Sequence, residues 1–143
     1  MLKGLGFAES LVKHLESFDP DSLLGFRCRP PEHCLSSPII ERNIVPLWEC
    51  GIVLTYFNAS SGMFEQCSLE AIDDPFYSLS SVQAALAVLF IDLYEDELSF
   101  QELTEAGSIT GFLHINRLIE EAEKNLGKEY VVWREKFPSS CQG

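Results

Sequence analysis

A chain of 143 residues with 46% hydrophobic residues can bury a core, so a disordered acidic tail is excluded and a single domain over residues 1–143 is expected. The net charge of −12 argues against nucleic-acid binding, because nucleic-acid-binding surfaces are basic. The longest apolar run, Ala84 to Ile91, is too short to span a membrane, and the first residues lack a secretion-signal pattern, so we expect a cytoplasmic protein.

The first predicted elements are a helix and a long connection. Apolar residues at helical spacing predict an amphipathic helix over residues 3–17, and Asp19-Pro20-Asp21 ends it. Residues 19–38 contain four of the seven prolines, and Pro30-Pro31 can continue neither a helix nor a central strand. This segment is predicted to be a long surface connection that either carries function or wraps an edge of a sheet.

The strand signal follows directly. Residues 44–50, 52–57 and 63–69 are rich in β-branched and aromatic side chains and predict three strands, and residues 58–62 carry the turn residues of a hairpin. Consecutive strands joined by short loops form an antiparallel meander, one face of which must be covered. The predicted fold class is therefore α+β, an antiparallel sheet covered by α-helices in a single domain.

The C-terminal half predicts two helices and a short strand. Ser80 or Ser81 caps a helix that runs to about Asp96 and is apolar on more than one side. Apolar residues from Phe112 to Leu126 predict a last long helix. The run Tyr130-Val131-Val132-Trp133 then predicts a short strand.

The negative charge is concentrated in the middle of the chain. Residues 65–123 contain thirteen carboxylates and one basic residue, Arg117, a balance equal to the net charge of the whole chain. Such a block attracts positively charged surfaces and repels nucleic acid and anionic membranes. The alternative is that the acidic residues serve solubility alone.

Patterns typical of metal sites and enzymes are sparse. Cys28, His33 and Cys34 form the only cluster of metal-ligating residue types, and the second ligand pair of a structural zinc site is missing from the sequence. The five cysteines are odd in number and irregularly spaced, so we expect free thiols. Neither a glycine-rich phosphate loop nor a Gly-x-Ser-x-Gly elbow occurs, and the sequence predicts no cofactor and no enzymatic activity.

Three segments resemble the strand–hairpin–strand core of one protein family. They are Ile44-Val45-Pro46-Leu47-Trp48, Val53-Leu54-Thr55-Tyr56-Phe57 and Ser61-Gly62-Met63-Phe64. They are similar to the SUKH superfamily, the bacterial relatives of the fungal glucan-synthesis (cell-wall) regulators. The helix pattern from Tyr77 to Glu95 resembles the helix that follows an acidic linker in that family. The resemblance covers residues 43–120, whereas residues 18–42 depart from the family's pattern.

The resemblance implies an α+β domain with a non-enzymatic role. Many bacterial members are thought to be immunity proteins that neutralise secreted toxins, often nucleases. A nuclease surface is basic because it binds phosphates, so an acidic inhibitor can mimic the nucleic-acid backbone and associate faster through electrostatic steering. We therefore expect a protein partner, a basic toxin domain, and neither nucleic acid nor membrane. The alternatives are a regulator or scaffold in cell-wall or glucan synthesis and, more remotely, an enzyme with a carboxylate pair.

The acidic block supplies the candidate partner-binding residues. For each of them the alternative is a solvated helix end or loop. They are Glu95, Asp96, Glu97, Glu102, Glu105, Asp73 and Asp74.

Overall fold

The computed structural model describes residues 2–142 and contains a four-stranded antiparallel sheet packed against helices. The strands follow one another in the order β1-β2-β3-β4. They are β1 (Ile44–Cys50), β2 (Val53–Asn58), β3 (Met63–Ser68) and β4 (Tyr77–Leu79). The predicted α+β class, the antiparallel meander and its helical cover are confirmed. The sequence did not predict β4, which is only three residues long and pairs with Phe64 to Gln66 of β3.

Five α-helices lie in the described part of the chain. They are α1 (Glu9–Glu16), α2 (Val82–Glu95), α3 (Phe100–Thr110), α4 (Ile115–Lys124) and α5 (Lys128–Lys136). The helix predicted over residues 3–17 is divided into a short 3-10 turn, Lys3–Leu5, and α1. Gly6 separates the two with a φ of 99°, a backbone conformation that no helix contains.

The sequence did not predict α3, although its start carries a recognisable signal. The Ser99 hydroxyl accepts the backbone N–H of Glu102, and the Glu102 carboxylate accepts the backbone N–H of Ser99. This reciprocal capping box follows from the spacing Ser-x-x-Glu. At the other end Gly111, with a φ of 82°, stops the helix.

The strand predicted at Tyr130–Trp133 is wrong, because these residues lie within α5. Tyr130, Trp133 and Phe137 recur at helical spacing, and each ring contacts the next, with centroids 5.3 and 5.1 Å apart. Val131 and Val132, whose β-branched side chains suggested a strand, are exposed. Packing of the aromatic rings therefore decides the conformation against local preference.

The sheet is covered on both faces. Helix α2 is buried over most of its length on the face that carries Phe57 and Phe64, where Phe90 stacks on Phe112 with ring centroids 4.5 Å apart. Successive strand residues point to opposite faces. The second face therefore carries Leu54, Tyr56 and Cys67. These residues pack against Cys34, in the proline-rich segment, and Ile39, which follows that segment.

The proline-rich segment 19–38 also pairs with the free edge of β1. Arg29 and Glu49 exchange two backbone hydrogen bonds, of 3.0 and 2.8 Å. The segment therefore wraps a sheet edge, one of its two predicted roles, before it crosses to the second face. No helix of residues 2–142 is both long and apolar enough to cross a membrane.

Candidate functional site

The carboxylates at the C-terminal end of α2 are bound by two arginines from distant parts of the chain. Arg27, in the 3-10 turn Gly25–Arg27, donates from Nε and Nη2 to the two carboxylate oxygens of Asp96 at 2.8 and 2.7 Å. Arg134 of α5 donates from Nε to Glu95 Oε2 at 2.7 Å. Such charge-assisted contacts orient both partners. The group is named the ion cluster below and consists of Arg27, Asp92, Glu95, Asp96 and Arg134.

Asp92 lies at the centre of the ion cluster. Its Oδ1 accepts a hydrogen bond from Arg134 Nη2 at 2.8 Å, and its Oδ2 lies 3.9 Å from Arg27 Nη1. Its side chain is only 21% exposed. Burial raises the pKa of Asp92, although both arginines act to lower it. Three carboxylates share two guanidinium groups, so the ion cluster keeps a net negative charge.

The effect of burial on the Asp92 pKa can be tested by replacing Asp92 with asparagine and measuring stability as a function of pH. The pKa of such a carboxyl is higher in the folded than in the unfolded protein. Its contribution to the free energy of unfolding is therefore largest below the ordinary pKa of 3.8, and it is lost as the pH rises through the folded pKa. We therefore expect Asp92→Asn to gain stability relative to the natural chain as the pH rises through this window. Urea unfolding at a series of pH values measures the difference, and a trend of the opposite sign would contradict it.

Two adjacent cavities open beside the ion cluster and share Gln66 and Phe76 in their walls. The smaller, of about 210 Å³, lies between the sheet and α2 and has Arg27, Cys50 and Asp92 in its lining. The larger, of about 600 Å³, lies between the sheet and α5 and is lined by Tyr77, Val131, Arg134 and Glu135. Each cavity therefore combines one arginine of the ion cluster with one carboxylate.

Two exposed apolar side chains belong to the lining of these cavities, and we name them the apolar rim. Phe76, where the two cavities meet, is 57% exposed, and Val131 is 59% exposed. Exposed aromatic and aliphatic side chains beside arginines are the composition of a protein-binding surface. No histidine is among the residues that line either cavity, and burial raises the pKa of the Cys50 thiol despite the opposing effect of Arg27. The raised pKa makes the Cys50 thiol less acidic than that of a free cysteine.

The seven candidate residues of the acidic block fall in three places. Glu95 and Asp96 belong to the ion cluster, and Glu97 follows them, exposed, with a φ of 65°. Glu102 and Glu105 lie on the exposed side of α3, where Glu102 also serves in the capping box.

The other two candidates, Asp73 and Asp74, lie in the loop between β3 and β4. Asp73 pairs with Arg42, and the residue before it, Ile72, packs against the second face of the sheet. Asp74 is exposed. Asp73 thus pairs with an arginine outside the ion cluster, and the seven candidates do not form one hydrogen-bonded group.

Folding disperses the charge block that the sequence suggested. Arg27, Arg42 and Arg134 lie outside residues 65–123, and each binds a carboxylate of that block. Within residues 65–123, five exposed acidic residues of the helical layer have no basic side chain within 4.0 Å among residues 2–142: Glu97, Glu102, Glu105, Glu120 and Glu123. Glu102 is held in the capping box, and we name the other four, Glu97, Glu105, Glu120 and Glu123, the helical acidic surface.

The residues of the suggested metal cluster are separated in the structure. Cys28 lies in the main core, whereas Cys34 packs on the second face of the sheet. His33 Nδ1 contacts the buried Glu49 carboxylate at 3.0 Å. Within residues 2–142 no group of three or more histidine, cysteine or acidic side chains is arranged to hold a metal ion.

Sequence reasoning missed Glu49. This carboxylate is 1% exposed and accepts the backbone N–H groups of Glu32, His33 and Cys34 at 2.9 to 3.0 Å. It thereby holds the proline-rich segment against β1. A glutamate within a predicted strand is usually expected to face solvent, so nothing in the sequence indicated that Glu49 is buried.

Comparison with known proteins does not assign the chain to a family. It matches no protein-family model, no curated protein and no solved structure.

Proposed function

We propose that this protein is a cytoplasmic, non-enzymatic binding module of the immunity type, which neutralises a basic, nuclease-type toxin domain. The observation that carries the proposal is the helical acidic surface. Its four carboxylates are exposed and free of ion pairs within residues 2–142, whereas Asp73, Glu95 and Asp96 are already bound by arginines. The resemblance of residues 43–120 to the SUKH superfamily supports the same function.

The physical argument concerns the rate of association. Exposed carboxylates that keep their full charge attract a basic partner over roughly a Debye length, about 8 Å at physiological ionic strength. Carboxylates that already have an arginine partner contribute much less to this field. We therefore assign partner contact first to Glu97 and Glu105 among the seven candidates, together with Glu120 and Glu123 of α4.

A second candidate function, a regulator or scaffold in cell-wall or glucan synthesis, rests on a different observation. The apolar rim at Phe76 and Val131 offers a surface whose binding would depend little on salt. This alternative predicts that loss of Phe76, and not of charge, abolishes binding.

The test is affinity capture with the tagged protein from lysate of its own source, eluted in rising salt, with measurement of binding rates for each purified partner. The triple variant Glu105→Lys, Glu120→Lys and Glu123→Lys is expected to reduce the association rate of a basic toxin domain by about 10- to 100-fold at low salt. The matched control carries the same charge change at exposed acidic residues elsewhere, Glu16→Lys, Asp21→Lys and Glu41→Lys.

The outcomes separate the two functions. A basic polypeptide that is released at moderate salt, lost in the triple variant and retained by the control would support the immunity function. Partners that survive high salt and are lost in Phe76→Ala would favour the scaffold. Equal losses in the triple variant and its control would mean that net charge alone matters, and would overturn the assignment of the helical acidic surface.

A further inference from the structure

Two cysteines flank the bridge by which the proline-rich segment pairs with β1, one on each strand. Arg29 and Glu49 exchange both backbone hydrogen bonds, as a directly opposed antiparallel pair does. The next opposed positions in this register are Cys28 and Cys50. A pair of that kind has its Cα atoms about 4.5 Å apart, with both side chains on the same face. This separation lies within the range that a disulfide spans.

The surroundings of the two side chains agree with this register. Cys28 is fully buried in the core beneath α2, and Cys50 lines the smaller cavity together with Trp48 and Leu89 of α2. Both thiols are therefore on the helical face of the sheet. Burial raises the pKa of Cys28, and the nearby Cys50 thiol raises it further. All five thiols are free in the structure.

The remaining cysteines lie elsewhere. Cys34 and Cys67 are on the second face of the sheet, and Cys141 is near the C-terminus beside Phe137. Cys50 is also the one thiol of the five that is not fully buried. A small oxidant can thus reach the pair through the cavity at Cys50.

We propose that Cys28 and Cys50 are a redox modification site that forms an intramolecular disulfide with a low-molecular-weight disulfide such as oxidised glutathione. The ionised fraction of Cys50, which the raised pKa keeps small, attacks one sulfur of the oxidant and expels one glutathione thiolate. The Cys28 thiolate then attacks Cys50 Sγ in the mixed disulfide and expels the second glutathione thiolate. The two protons lost by the protein thiols go to the two glutathione thiolates, so two glutathione molecules are produced for each protein disulfide.

The disulfide between Cys28 and Cys50 would affect the ion cluster through Arg27. Arg27 precedes Cys28, and its Nη1 lies 3.8 Å from Cys50 Sγ. A covalent link between Cys28 and Cys50 fixes the turn that carries Arg27 to the end of β1. We therefore expect the oxidised protein to melt at a higher temperature than the reduced protein, with the shift reversed by dithiothreitol.

Incubation of the purified protein with oxidised glutathione, followed by peptide mass mapping without reduction, tests the proposal. The expected product has lost two hydrogen atoms and yields one cross-linked peptide pair that contains Cys28 and Cys50. Cys50→Ser, at the incompletely buried position, should abolish the product. Cys67→Ala, which removes a thiol from the second face, should leave it unchanged.

The other outcomes overturn the proposal. They are stable glutathionylation of Cys50 without transfer to Cys28, cross-links that involve any other cysteine, and no reaction under conditions that oxidise a control dithiol peptide. The mapping of the natural chain does not depend on a variant, so misfolding of Cys50→Ser would not weaken the test. It is also independent of any partner, so its result is separate from the proposed function.

Discussion

Replacement of Glu49 with alanine is expected to lower the free energy of unfolding by about 3–5 kcal/mol. The substitution leaves the backbone N–H groups of residues 32–34 without their acceptor, and each unsatisfied buried donor costs about 1–3 kcal/mol. Water can relieve part of this cost, because Glu32 and His33 lie at the surface. Urea unfolding of the purified variant measures the loss.

Two control variants separate the causes. Glu49→Gln keeps one acceptor oxygen but turns an amide donor toward one of the backbone N–H groups, so an intermediate loss of about 2 kcal/mol is expected. His33→Ala removes the ring that contacts Glu49, and because that ring is 57% exposed the loss should stay below about 1 kcal/mol. If Glu49→Ala cost no more than His33→Ala, Glu49 would not be what holds the segment.

The same carboxylate has a pH dependence opposite to that of Asp92. Burial alone would raise the pKa of Glu49, but the hydrogen bonds from residues 32–34 and from the His33 ring outweigh it, and the net pKa is below the ordinary 4.5. A carboxylate with a lowered pKa stabilises the folded protein at pH values above its ordinary pKa. That stabilisation is lost as the pH falls through the folded pKa. The stability difference between the natural chain and Glu49→Ala should therefore shrink in acid.

Replacement of Arg134 with methionine is expected to cost about 1.5–3 kcal/mol. Methionine retains most of the aliphatic packing, so the loss comes from the carboxylates of Asp92 and Glu95 and from the Tyr77 hydroxyl, to which Arg134 Nη1 donates at 3.2 Å. Asp92 keeps only the weaker contact with Arg27. Arg42→Met is the control, since its pair with the 88% exposed Asp73 is screened by solvent and should contribute much less.

A double-mutant cycle shows whether the ion cluster acts as one unit. Arg27 and Arg134 share Asp92, so each arginine partly compensates for the loss of the other. The double variant, in which Arg27 and Arg134 are both replaced with methionine, should therefore lose more stability than the sum of the two single losses, by about 0.5–2 kcal/mol. In the Asp92→Asn background the excess should disappear. Additive losses in the natural background would mean that the two arginines stabilise separate contacts.

Local pattern was sufficient for the first three strands and for α2. Residues 44–69 combine β-branched side chains with turn residues at the right spacing, and α2 follows a serine cap and an apolar run. It was not sufficient for α5 or β4. Val131 and Val132 favour a strand locally, and only the packing of Trp133 against Tyr130 and Phe137 makes that segment helical.

The candidate site shows the same division. The sequence identified the carboxylates of residues 65–123, and four of the seven candidates, Glu97, Glu102, Glu105 and Asp74, are exposed without a basic partner in the part of the chain that the structure describes. It did not reveal that arginines from both ends of the chain neutralise the others. Contacts such as Arg27 with Asp96, 69 positions apart, have no local signature.

By itself the sequence determined the composition of the acidic surface, the three strands of the meander and the central helix, because these depend on residue type and on spacing over a few positions. Only the tertiary structure decided which carboxylates face solvent, how Glu49 holds the proline-rich segment and which cysteines lie on each face of the sheet. Those properties depend on long-range packing, since burial and pairing are set by the elements that meet and not by the neighbours of a residue along the chain.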